Sequence, residues 1–285
     1  MIWPGAEKIL ARAAAKHRIA YSLSTSATQD LETIGPLVDD MGWFQLYPPR
    51  DPAIGHDLLR RAAAAGFRNL LVTVDAQIDS RRERARRGGL RVPFRITLSM
   101  LRQVLARPAW AEAVLRHGVP RFRGLEPYWG RSSLVTMVNR AAKWAAGSLD
   151  WDYIRDVRDR WPGKVLVKGL LHPDDAEQAI AAGCSTVRHR PSLCSRRSSS
   201  GWERGWPWFS IAAIRGGLDI ARAVALGADF VLLWRAFMYG VCALGNRGGD
   251  HTVTMLIDDL QNVMTQAGCR TLADLRRATL RRATE

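Results

Sequence analysis

The sequence predicts an α/β protein, a single (β/α)8 TIM barrel over residues 1–285 that is incomplete. Three observations predict it. Short apolar β runs alternate with amphipathic helical segments, the pattern of parallel strands joined by helical crossovers. The alternation recurs along the whole chain, which favours closure over an open sheet. One unit, STVRHRPSLCSRRSSSGWERGWPWFS over 185–210, breaks it with no helical or alternating period.

Taken in order, the chain opens on a helix, AEKILARAAAKH, so the first barrel strand is expected to be absent. IAYSLS is a strand before the helical DLETIGPLVDDM, and WFQLYP is a strand before DPAIGHDLLRRAAAAG. NLLVTVD follows. A long basic insertion over 81–150 then carries the helical LSMLRQVLARPAWAEAVLRHG, with apolar Leu101, Val104, Leu105 and Trp110 beside Arg102, Arg107 and Arg116. DWDYIRDVRDRWPG leads into the strand VLVKGLL and the helix HPDDAEQAIAAG. There Asp174 and Asp175, after Pro173, put negative charge at the positive end of the helix dipole. After the aperiodic unit come IRGGLDIARAVALG, ADFVLLWR and a closing helical region. About six strands are well marked, with a doubtful one near Trp206–Ile211, against the eight that closure needs.

Composition removes several function classes. At 285 residues and 47% hydrophobic, the chain can bury a full core. Cys184, Cys194, Cys242 and Cys269 lack metal-ligand spacing, and in a chain of this size they imply a reducing cytoplasm. No apolar run reaches the roughly 18 residues of a membrane span, and no signal-peptide pattern opens the chain. The net charge of +15 invites nucleic acid, yet the charges are scattered. Five arginines (Arg188, Arg190, Arg196, Arg197, Arg204) fall in the aperiodic unit against Glu203 alone, with no RNA-binding or zinc-finger signature. Nucleic acid is not expected as a partner.

Functional residues of such barrels sit at the carboxyl ends of the strands. Those ends carry Ser24, Thr25, Gln45, Tyr47, Thr73, Lys168, Arg215 and Arg235. Hydrogen-bond donors, a phenol and several cations suit a phosphorylated polar cofactor and an anionic substrate. Singly, each also fits an ordinary loop residue with satisfied hydrogen bonds.

Together the segments SLSTSAT, WFQLYPPRD, LLVTVDAQIDSRRER, VLVKGLLHPDDA, IRGGLDIARAVALGADFVLLWRAFMYG and GCRTLADL resemble the FMN-dependent 2-hydroxy-acid oxidases and dehydrogenases, the glycolate oxidase and bacterial L-lactate dehydrogenase type. The resemblance implies FMN as cofactor. Ser24, Gln45 and Thr73 would meet the flavin and ribityl groups, and Lys168 the flavin edge, where a cation stabilises the anionic reduced ring. Arg215 and Arg235 would neutralise the phosphate. Tyr47 and Arg82 would hold a small 2-hydroxy acid, Arg82 through the carboxylate. The implied reaction is oxidation to the 2-oxo acid, a histidine taking the hydroxyl proton as hydride passes to flavin. Oxygen, a quinone and a cytochrome remain open as electron acceptor, and a homo-oligomer is compatible. The basic helical insertion suits peripheral contact with the inner face of a membrane, or equally a helix packed on the barrel with a solvated basic face.

The departures decide activity. Counting from Lys168, the family's catalytic histidine falls at Ser192. His189 lies nearby without the glycine context, so no catalytic residue is assigned. Ile211 replaces an acidic residue before the phosphate turn, Trp234 replaces a glycine beside the phosphate, and Gln77 replaces a proline. The stretch from Ser185 to Ser210 has two readings, a divergent surface loop or a shifted reading frame, since out-of-frame GC-rich codons give Arg, Ser, Pro, Trp and Cys. The expected function is the family reaction with activity lost or severely impaired. The alternative is a non-catalytic remnant or basic surface-binding protein, and WFQLY and SRRER disfavour a dihydroorotate dehydrogenase.

Overall fold

The computed structural model describes residues 3–75, 87, 96–144, 149–170, 172–188, 209–210 and 214–278. The chain groups into two compact units, Met1–Val165 and Leu166–Glu285.

The first unit begins with α1 (Ala6–Lys16), β1 (Tyr21–Ser24), α2 (Leu31–Val38), β2 (Gly42–Leu46), α3 (Pro52–Ala64) and β3 (Asn69–Thr73). The three strands pair in parallel in that order, with Ser24 opposite Gln45 and Gln45 opposite Leu71. Every residue of β2 is buried, as a strand covered on both faces requires. Phe44, Leu46, Leu70 and Val72 fill the interior with Leu23, Ile34 and Leu58. Helix entries use side-chain caps: Asp30 accepts from the Thr33 N–H at 2.7 Å and Asp51 from the Ala53 N–H at 2.9 Å.

The basic segment contributes α4 (Leu98–Leu105), α5 (Pro108–His117), α6 (Glu126–Trp129) and α7 (Leu134–Trp144). The helix expected across 98–118 is two helices, broken before Pro108. Proline supplies no N–H and disfavours helical backbone at Arg107. Beyond it, α8 (Trp151–Arg160) packs Trp161, whose indole Nε1 donates to the Arg68 carbonyl at 3.3 Å. Gly163 passes so close to that carbonyl that any Cβ there would overlap it.

Arg61 of α3 ties the later part of the basic segment to the unit. Its Nε and Nη2 donate to Glu32 at 2.8 and 3.0 Å, and Nη1 donates to Gly124 O at 3.0 Å and Tyr128 Oη at 3.1 Å. Tyr128 donates onward to Asp57 at 2.6 Å. The Arg61 hydrogen bonds hold the Glu32 carboxyl below its ordinary value. Burial, reinforced by Asp57, pushes the Tyr128 phenol up to about 12. Sequence gives no sign of this network, because its partners are 29 to 67 residues from Arg61.

The second unit begins within β4 (Lys164–Leu170), whose pairing with β5 lies in it, and continues with α9 (Pro173–Ala181), β5 (Ser185–Arg188), β6 (Phe209–Ser210), α10 (Gly217–Ala225), β7 (Phe230–Val231), α11 (Arg235–Leu244), α12 (Gly248–Gln266) and α13 (Leu272–Arg277). Strands β4 to β7 pair in parallel in chain order. Regular structure therefore extends into the stretch that the sequence marks as aperiodic: Ser185–Arg188 is a strand, and the doubtful strand near Trp206–Ile211 is the two-residue β6. Residues 189–208 lie outside the described residues. The strand expected over ADFVLLWR shortens to Phe230–Val231.

Small residues set the packing of this unit. Ala221 and Val224 of α10 meet Leu275, and Gly217 lies so close to Asp259 and Leu260 that a Cβ would overlap their backbone.

Candidate functional site

In the first unit the strand ends gather their polar side chains into one line. The Ser24 hydroxyl donates to Gln45 Oε1 at 2.8 Å, and Gln45 Nε2 donates to Thr73 Oγ1 at 2.8 Å. The register explains the geometry. Ser24 is directly opposite Gln45, while Thr73 lies two residues beyond Leu71, on the same face of β3. Gln45 is 8% exposed and Thr73 1%. A buried amide in an otherwise apolar strand needs partners, since leaving one unpaired costs about 1–3 kcal/mol. Both ends of the Gln45 amide have one, and each end keeps further hydrogen-bonding capacity: a second N–H and a second lone pair. Tyr47, half-buried, stands one residue beyond the end of β2.

The second unit holds the cations. Lys168 is half-buried near the end of β4, immediately before a bulge. Gly169, at φ 108°, adopts the backbone that a side chain would strain, and the ladder skips from Lys168 to Leu170. Arg215 is exposed ahead of α10, its backbone N–H donating to Asp219 at 3.0 Å. The Gly217 N–H donates to the Asp259 carboxylate. Arg235 opens α11, and Trp234 before it is 59% exposed at the cap position, with no side-chain hydrogen bond to the helix. Thus Ser24, Gln45 and Thr73 are brought together by hydrogen bonds, while Lys168 lies near the end of β4, Arg215 ahead of α10 and Arg235 at the start of α11. Arg82, Gln77, His189, Ser192 and Ile211 lie outside the described residues. No group of three or more His, Cys, Asp or Glu side chains placed to hold a metal occurs among the described residues.

Polar groups converging at the carboxyl ends of parallel strands mark the class of α/β enzymes that bind polar ligands there. The chain belongs to the FMN-dependent dehydrogenase family, whose pattern matches residues 1–188 and 212–282. It is 32% identical over 284 residues to (S)-mandelate dehydrogenase of Pseudomonas putida, covering 96% of this chain and 72% of that protein. It is also 32% identical over 292 residues to L-lactate dehydrogenase of Yersinia pestis (strain Pestoides F), covering 95% of this chain and 74% of the relative. The crystal structure of the monotopic membrane protein (S)-mandelate dehydrogenase superposes with a TM-score of 0.83 at 30% identity, over 96% of this chain and 76% of that one. The family is one of FMN flavoproteins acting as oxidoreductases, and its (β/α)8 fold accounts for the parallel strand–helix alternation in both units.

The donor set suits FMN at the ring and ribityl end. Ser24, Gln45 and Thr73 offer mixed donors and acceptors on a rigid, buried support. At the start of α11, Trp234 puts an exposed indole beside Arg235, at the cap position of the helix.

Proposed function

We propose that this chain is a 2-hydroxy-acid dehydrogenase that keeps most of its flavin-holding residues and has lost the unit bearing the catalytic base. The family match carries this reading. It runs without a break to residue 188, resumes at 212, and omits the segment where the histidine should lie. Ser24, Gln45 and Thr73 would bind the ring and ribityl chain, Lys168 the ring edge, and Arg215 and Arg235 the phosphate. Tyr47 and Arg82 would hold the carboxylate end of a small L-2-hydroxy acid of the lactate or mandelate kind. FMN, when bound, supplies the two-electron acceptor for this chemistry. The residues present orient the substrate and compensate charge, but none is assigned to take the hydroxyl proton. The sixth barrel unit, over 185–210, is the damaged one, and 81–150 is an insertion.

Titration of flavin fluorescence tests the cofactor reading. Because Trp234 crowds the phosphate, the expected Kd is weaker than about 1 μM, and Trp234→Gly tightens it by about tenfold, equivalent to 1.4 kcal/mol. Nanomolar affinity in the unsubstituted chain would show that Trp234 is misplaced in this account.

A second reading concerns location. Leu105 and Leu115 are 80% and 85% exposed on α4 and α5, alongside exposed Leu98, Leu101, Arg102, Arg107 and Arg116. No helix among the described residues is long and apolar enough to cross a membrane. Leucines that seat at the acyl boundary, flanked by arginines, suit peripheral attachment to an anionic leaflet such as the inner face of the cytoplasmic membrane. Sedimentation should recover the chain with phosphatidylserine vesicles and leave it behind with phosphatidylcholine. Leu105→Glu with Leu115→Glu should abolish binding, and retention by that double variant overturns the reading.

A further inference from the structure

Thr25 stands one residue beyond β1, 4% exposed, with no role assigned by the family resemblance. Its backbone N–H donates to the Gln45 carbonyl at 2.9 Å. Its hydroxyl donates to the same carbonyl at 2.7 Å and accepts from the Tyr47 N–H at 3.0 Å. One side chain therefore holds the two backbone groups that flank Leu46, at the point where β2 ends and regular pairing with β1 stops. The hydroxyl acts as the last rung of the β1–β2 ladder. It does so where the next residues, Tyr47, Pro48 and Pro49, leave the sheet, and the two prolines have no N–H to continue it.

Gln45 and Tyr47 are two residues apart, and the two backbone groups that Thr25 holds belong to them. They are also the residues proposed above to meet the flavin and the substrate. We infer that Thr25 is a positioning residue that fixes Gln45 and Tyr47 relative to each other, so that flavin contact and substrate contact are set by one hydroxyl. The inference rests on the flavin reading of Ser24, Gln45 and Thr73. Valine matches threonine in shape but removes both hydroxyl bonds, whereas serine keeps them. Thr28 provides the control. It is a second buried threonine of the same loop, with its hydroxyl on Glu7 at 2.8 Å and away from β2.

The test compares Thr25→Val, Thr25→Ser and Thr28→Val with the unsubstituted chain, using flavin fluorescence titration, thermal melting and hydrogen exchange at the Tyr47 amide. Thr25→Val should weaken FMN binding about tenfold, the usual effect of losing a well-made buried hydrogen bond. It should also speed exchange at Tyr47. Thr25→Ser should stay within about threefold of the original affinity, and Thr28→Val should lower the melting temperature without changing it. Unchanged affinity in Thr25→Val overturns the inference alone. Weakening of Thr25→Val and Thr28→Val in proportion to their loss of Tm makes Thr25 merely structural and also overturns it. If the unsubstituted chain quenches no FMN fluorescence at any concentration, the flavin reading itself falls, and the inference with it.

Discussion

Ser192→His, made alone, leaves the oxidation of lactate, glycolate and mandelate at the level of the unsubstituted chain. A missing general base costs on the order of 10² to 10⁴ in rate, and returning the imidazole recovers this only if its nitrogen reaches the substrate hydroxyl in the right geometry. That geometry comes from a strand end and its glycines, and the segment that should supply them is the part of the chain the family pattern skips, 189–211. Recovery therefore requires replacing the whole segment with the corresponding one from the mandelate dehydrogenase, together with Trp234→Gly to open the phosphate position. Steady-state rates of the single substitution, the graft and the combination separate the possibilities. Full activity from Ser192→His alone would mean that the supporting strand is intact, and the damaged-unit account would fail.

Trp161→Ala should destabilise the first unit by about 3–5 kcal/mol, the usual range for deleting a buried large aromatic side chain. Trp161 is 1% exposed, and its indole closes the end of α8 onto the start of β3 through the Arg68 carbonyl. The substitution removes the packing and one of the carbonyl's two hydrogen bonds, leaving the Lys164 N–H at 3.3 Å as its donor. Gly163 packs against the same carbonyl and the Trp161 indole, so closely that a Cβ there would overlap the carbonyl. Urea unfolding followed by circular dichroism measures the loss. A change below about 1 kcal/mol would place the core of this unit elsewhere.

The strands of the first unit were legible because burial on both faces leaves a nearly continuous apolar run, as in GWFQL, and strand ends follow from where the run stops. That made Ser24, Gln45 and Thr73 visible as candidates. Their mutual hydrogen bonds were not, because these depend on register, which only pairing defines. The Arg61 network was hidden for the same reason. An arginine on an exposed-looking helix gives no sign that a tyrosine 67 residues on will accept from it. The break at Pro108 is written in the sequence, yet the apolar period on either side masks it. Ser185–Arg188 fails to read as a strand because it is only four residues long, three of them polar, and continuous with an aperiodic run, while its pairing with β4 is a backbone property. The last strand erred the other way: ADFVLLWR is apolar enough for a full strand, but only Phe230 and Val231 pair.

Anaerobic mixing of the unsubstituted chain, loaded with FMN at concentrations above its measured Kd, with (S)-mandelate or L-lactate tests the central claim most directly. The visible flavin band reports reduction in a single turnover, with no need to know the natural electron acceptor. A chain that holds flavin without a base quenches its fluorescence yet leaves the band no more bleached than free FMN with the same substrate. Bleaching at ordinary enzyme rates, about 1–10³ s⁻¹, would contradict the account and make His189 the first residue to replace.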